Sequence, residues 1–249
     1  MNVNATRRAS LGTMFGVLLR MQFARLRRSW RPYIVVSAVM PAGIVLLLHL
    51  TNTHMSGTER LNIIAGAMLL SESIATIVML SQYVAWLKAS RALDHYRVLP
   101  ISLALLMITL TTVYGLFAWP GIFLIAAEGL WIDHLSLHFS LMVVPLLLIT
   151  SVAMGSIGSL IGLLAPDEGL AGLFGNLVMM GVLFLGMVPV NAVGQWSLAF
   201  WILPSTGPLA ILKGIMFHGP YNTWPHWLGL ALYAAVAMTL SAYVIKKPQ

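Results

Sequence analysis

The hydrophobic positions of this chain fall in long uninterrupted runs separated by short polar breaks. A helix needs about 20 apolar residues to cross the hydrocarbon core of a bilayer. Six runs approach or exceed that length, at roughly 33–50, 61–87, 101–126, 137–164, 170–190 and 225–245. They are continuous rather than alternating, which excludes the strands of a membrane β-barrel. The pattern predicts an all-α integral membrane protein with six transmembrane helices.

Two segments break the rhythm. Ahead of the first run, at 100° per residue, Arg20, Arg27 and Arg31 share one stripe, with Leu11, Met14, Phe15 and Leu18 opposite. Residues 10–31 are therefore expected to form an N-terminal amphipathic helix along the membrane surface. Arg25 falls on its apolar side, where a long stem can snorkel to water. No small-residue cleavage pattern precedes Pro32, so a cleavable signal peptide is not expected. The second segment, 191–224, is apolar and aromatic (Trp196, Phe200, Trp201, Phe217, Tyr221, Trp224) yet broken by Pro204, Pro208 and Pro220. Proline at these intervals precludes one long helix. Two short re-entrant helices dipping into the outer leaflet are expected, because unsatisfied backbone cannot face lipid. Residues 1–249 read as one transmembrane domain.

One polar break is a compact charged insert, Lys88 to Ser102, with Arg91, Asp94, His95, Tyr96, Arg97 and Pro100 inside it. The nearest formal charges outside it are Glu72 and Glu128. Read as a helix over 88–100, it spaces Arg91, Asp94 and Arg97 three apart, where opposite charges support each other, and Pro100 ends it. The plainer reading is a solvated loop, but a bare hairpin needs fewer residues.

Composition agrees with a lipid environment: 59% of residues are hydrophobic and 8% charged, against about a quarter charged in soluble domains. The net charge of +7 is unevenly placed. Seven arginines precede the first run, three basic residues lie in the insert, and Lys246 and Lys247 close the chain, leaving Arg60 and Lys213 for the other face. By the positive-inside rule the crowded face, with both termini, is cytoplasmic, placing the chain in the cytoplasmic membrane. The same rule accounts for the basic residues without nucleic acid. There is no cysteine, which removes disulfides, thiolate metal sites and cysteine nucleophiles.

Glu72 is the formal charge within the second run, with Ser71, Ser73 and Gln82 as polar neighbours. A carboxylate at membrane depth is costly unless it faces a cavity or a partner, so it either lines a translocation path or bonds between helices. In the fourth run Ser151, Gly155 and Ser159, with Gly158 and Gly162, recur every four residues, a face that lets helices approach closely within or between subunits. Asp133, His134 and His138 are too few for zinc, which takes four ligands, and no metal site is expected. A rhomboid-like serine site or paired glutamates for a membrane protease is not found. An ion-coupled secondary transporter would show repeated halves, whereas the insert occurs in the first half alone. No G-x-x-x-x-G-K-[ST] run is present to build a phosphate loop.

The stretch Asp94-His95-Tyr96-Arg97-Val98-Leu99-Pro100-Ile101-Ser102 resembles the charged coupling helix of ABC-2 type transporter permeases, closest to the daunorubicin-resistance drug-export type. Phe184-Leu185-Gly186-Met187-Val188-Pro189 and Ser205-Thr206-Gly207-Pro208-Leu209 are similar to that family's fifth-span end and the turn after it. The basic helix before the first span matches its interfacial connecting helix. Two departures stand out: the insert opens with Lys88 and Arg91 rather than glutamates, and Gly207 replaces an asparagine. The resemblance implies the transmembrane half of an ATP-driven exporter, not itself an enzyme. It implies pairing as a homodimer with two copies of a separate ATPase, which holds ATP and Mg. Lys88, Arg91, Asp94, His95, Tyr96 and Arg97 would seat the coupling helix. A drug-like or amphipathic substrate is expected, with polysaccharide, glycolipid or haem as the alternative.

Overall fold

The structure is a computed structural model that describes residues 10–26, 30–52, 54–98, 101–138, 140–187, 203–216 and 224–246. Every regular element among these residues is helical. In chain order they are α1 (Leu11–Leu26), α2 (Trp30–Thr51), α3 (Gly57–Ser73), one π-helical turn (Ile74–Met79), α4 (Leu80–Ala89), α5 (Ala92–Val98), α6 (Leu103–Trp131), α7 (Val143–Leu164), α8 (Glu168–Met187), α9 (Thr206–Met216) and α10 (Trp224–Lys246). Five helices among the described residues are long and apolar enough to cross a membrane: α2, the continuous run Gly57–Ala89, α6, α7, and α10 over Trp224–Val244. The expected fifth run corresponds to α8, an apolar helix of 20 residues. Of the expected re-entrant region, α9 is described. At 11 residues it extends about 16 Å, half of the hydrocarbon core. Residues 191–202 and 217–223 lie outside the described part.

Helix ends meet in two separate groups, and this fixes the alternation of the bundle. At one end, His49 of α2, Arg60 of α3 and Asp133 just past α6 come together. At the other, Lys88 of α4 reaches the last carbonyls of α7, and α1 meets α4 and α5. Consecutive membrane helices therefore run antiparallel. The Gly57–Ala89 run stands at the centre, with 89% of its apolar window buried, against 22% for α10. At 33 residues it is about 50 Å long, well beyond a hydrocarbon core of about 30 Å. One end therefore projects past the lipid unless the helix tilts strongly.

Buried hydroxyls of the central helix and of α2 bond to the backbone of α6. Pro120 interrupts the backbone ladder of α6, and two buried serines donate to carbonyls in the preceding turn, Ser37 to Phe117 (3.3 Å) and Ser71 to Ala118 (3.2 Å). The small residues of α7 meet it from the other side. A Cβ on Gly158 would stand 2.3 Å from the Thr76 carbonyl in the π-helical turn, one on Gly162 2.4 Å from that of Ser81, and one on Gly155 2.6 Å from Thr111 of α6. These contacts lie within one subunit.

At the end away from the arginine-rich segment, Asp133 Oδ1 lies 2.9 Å from His49 Nδ1 and 3.4 Å from Arg60 Nη1, with its side chain 6% exposed. One carboxylate thus clamps the ends of α2, α3 and α6. Asp133, grouped in the sequence with His134 and His138, is turned instead toward residues far away in the chain. The His138 amide donates to the Met216 carbonyl (2.9 Å), tying α9 to the same end. Asp133→Asn should cost about 1–3 kcal/mol, the price of unpaired buried polar groups, read as a lower thermal midpoint in detergent. A midpoint equal to that of the unsubstituted chain would disprove the clamp.

Candidate functional site

The insert is two helices joined by a bend. The Ser90 amide donates to the Trp86 carbonyl (2.9 Å) and closes α4; Arg91 then turns with φ 56 and donates its amide to Lys88 (3.1 Å). The Arg91 carbonyl accepts from the Asp94 amide (3.1 Å), opening α5. A left-handed non-glycine residue costs roughly 1–2 kcal/mol, and here it sets the angle between the helices. This corrects the expected ladder of Arg91, Asp94 and Arg97 along one helix, because Arg91 precedes α5. Within α5, Leu93 and Tyr96 are buried against the bundle, whereas Asp94 and His95 are exposed. Arg97 lies in the same helix with its side chain outside the described part, as is Pro100.

Lys88 is also reassigned. Its Nζ donates to the Leu163 carbonyl (2.9 Å) and to that of Ala165. The last carbonyls of a helix have no partner in the helix itself, so Lys88 caps α7 and does not share the outward face of α5.

The N-terminal helix is shorter than the sequence suggested. α1 ends at Leu26, and Arg31 stands exposed in the first turn of α2, its Cζ 5.9 Å from the Trp30 ring centre. Pro32 suits a helix start, where its missing amide is not needed, and Arg20 and Arg31 stand on different helices. Arg20 is exposed on α1, and Arg27 lies outside the described residues. Arg25 does not snorkel. It donates to the Tyr83 hydroxyl, and its Cζ sits 4.9 Å from the Tyr83 ring centre and 4.5 Å from that of Trp86. Those rings stack on each other at 5.9 Å and 14°. Gln22 is 1% exposed; it donates to the Tyr96 hydroxyl (3.2 Å) and accepts from the Tyr83 hydroxyl (3.4 Å). Gln22, Tyr83 and Trp86 were not picked out in the sequence. The available signal was the spacing Leu18, Gln22, Arg25, which puts two polar residues on the same side of α1 as a buried leucine.

The candidates for a translocation path do not form one site. Glu72 is fully buried, and its Oε1 accepts from the Ser151 hydroxyl. Gly115 leaves room for that pair, since a Cβ there would stand 2.0 Å from Ser151 Oγ. Among the described residues, Glu72 Oε2 has no hydrogen-bond partner, and neither has the hydroxyl of buried Ser159. Thr76 donates to the Glu72 carbonyl (2.7 Å) where the π-helical turn begins. Glu72 is thus an inter-helix contact in the core, with Ser71, Gly155 and Ser159 buried around α6 and α7. Gln82 is exposed on the outer surface of α4 against Gly172 of α8.

The sequence profile described as ABC-2 family transporter protein matches residues 48–243. That match spans most of the chain, and the chain belongs to the ABC-2 family: it is a multi-pass membrane permease, the transmembrane part of an ABC transporter whose ATPase is a partner. The match takes in α3 to α9 and most of α10, and leaves α1 and most of α2 outside. No curated protein matches the chain.

Two outcomes test this arrangement. Gly115→Ala should destabilise by about 1–3 kcal/mol, as overpacking does. Ser151→Gly in the same chain should recover part of that loss, and strict additivity in a double-mutant cycle would refute the contact. Lys88→Met should lower the thermal midpoint, since hydrogen bonds from charged groups are worth about 1.5–3 kcal/mol. It should leave the bound ATPase unchanged, and loss of the ATPase at an unchanged midpoint would return Lys88 to the docking face.

Proposed function

We propose that this chain is the permease of an ATP-driven exporter in the cytoplasmic membrane, with six crossings that include α8 and with both termini inside. The arginine-rich end is cytoplasmic by the positive-inside rule. Arg91, Asp94 and His95 form the surface on which a separate ATPase docks. One observation carries the reading: α5 presents this polar face directly at the end of the most buried helix of the bundle. A push on α5 therefore acts on the core and not on a peripheral span.

A second copy of the chain completes the path. Gln82 of α4 and Asn176 near the middle of α8 are both exposed, and polar side chains in membrane helices avoid lipid. We assign this α4–α8 face to a homodimer interface with the path along it. It replaces Glu72 and Ser71 as the candidate lining. Leu173, Leu177 and Met180 are exposed on the same side of α8 as Asn176, which suits a drug-like or amphipathic molecule better than a glycan.

The test is co-expression with its partner ATPase, comparing the unsubstituted chain with Arg91→Ala/Asp94→Ala/His95→Ala. The triple variant should keep its thermal midpoint but lose the co-purified ATPase. A complex of unchanged yield would sink the docking assignment. Accumulation of a panel of amphipathic antibiotics and dyes in a deletion strain tests direction and substrate; accumulation equal to that of the parent strain for every compound would refute drug export.

A further inference from the structure

We propose that Gln22 is a positioning residue that makes α1 move with α5, so that force delivered at the ATPase-facing helix reaches α1 as well as the central helix. The inference rests on the docking role of α5 and goes beyond it, because α1 lies outside the matched part of the chain.

The geometry is specific. Gln22 is 1% exposed, so its amide must find partners inside the protein. It uses one hydroxyl from each of two other elements, Tyr96 of α5 at 3.2 Å and Tyr83 of α4 at 3.4 Å. Both tyrosines are themselves 8% exposed. The other contacts of α1, buried Leu18 and its packing on α6 with the Phe23 ring centre 6.2 Å from that of Phe117, are apolar and have no preferred direction. Hydrogen bonds weaken steeply with distance and angle, so the amide ties α1 to α4 and α5 in one register. Arg25 holds the second tyrosine from the other side, bonding its hydroxyl and lying over both Tyr83 and Trp86. Separating α5 from α1 would leave a buried amide without a partner, which is costly. The three elements are therefore expected to shift as one body. The residue after Gln22, Phe23, walls a notch of about 380 Å³ with Ala24, Trp30 and Phe117, so displacement of α1 also reshapes that notch.

The chain contains no cysteine, which allows spin labels at Arg20→Cys on α1, Val98→Cys at the end of α5 and Leu141→Cys at the opposite end. Label distances are measured pairwise in the full complex with its ATPase, nucleotide-free and with ADP plus vanadate, with labelled copies diluted by unlabelled ones. The 98–141 and 20–141 distances should shift together while 20–98 stays constant. In Gln22→Leu and in Tyr96→Phe, which removes a single oxygen, the 98–141 shift should persist and the 20–141 shift be lost. A merely structural role for Gln22 would lower the thermal midpoint and leave the two shifts correlated. The proposal is overturned if 20–141 does not follow 98–141 in the unsubstituted chain, or still follows it in both variants. Absence of any 98–141 shift is a different failure: it removes the docking role of α5, and this inference with it.

Discussion

Hydrocarbon offers no hydrogen bonds, so a polar group carried into the membrane is costly unless protein supplies it with a partner. The central helix is where that constraint acts most strongly. Its serines and threonine do not soften an apolar core at random. Ser71 donates to α6 near Pro120, Thr76 to the Glu72 carbonyl as the π-helical turn begins, and Ser81 to the Ala171 carbonyl of α8. Each hydroxyl is satisfied by a backbone carbonyl, in its own helix or in a neighbour. The glycines of α7 let that helix pack closely on the central one, Gly158 against the Thr76 and Ile77 carbonyls and Gly162 against that of Ser81. Polar side chains and small residues are two halves of one packing arrangement.

The two ends of the bundle solve their electrostatics differently. Away from the arginines, one carboxylate draws a histidine and an arginine from separate helices into a clamp. At the basic end, charge is spent on caps and stacking: Lys88 on the carbonyls of α7 and Arg25 on two aromatic rings. A lysine on a helix C-terminus and an arginine over a ring both satisfy a cation without an acidic partner. That matters in a chain with 14 basic and 7 acidic residues.

The lengths of the spans were legible, because crossing lipid is a requirement on composition. The run 61–87 became Gly57–Ala89, and 225–245 became Trp224–Lys246. The ends moved where local chemistry decides. Ser56 and Glu59 form a capping box that starts α3 early, and Pro145 in the first turn of α7 fits a start at Val143 instead of 137. Single charges were harder. Periodicity can put Arg25 on the apolar side of α1, but it cannot supply Tyr83, 58 residues away. Lys88 read as part of a charged insert because its acceptors, Leu163 and Ala165, carry no mark in the sequence. Glu72 was visible as an oddity, whereas Ser151 and the space left by Gly115 are tertiary facts.

These placements change how a motion could pass through the molecule. A loop between two spans can bend without consequence, but α5 is not such a loop. It leaves α4 through a strained bend at Arg91, seats Leu93 and Tyr96 in the core, and shares Tyr96 with α1. The far end of the same central helix is held by the capping box of Ser56 and by Arg60 in the Asp133 clamp. With one end fixed and the other attached to an outward face, displacement of α5 has to be absorbed in between. The π-helical turn at Ile74–Met79 is the point along that helix where the regular ladder is already broken. It lies next to Glu72, and the close approach of Gly158 keeps α7 against it. A clamped end and an irregular ladder in series put the natural bending point of the central helix at Ile74–Met79.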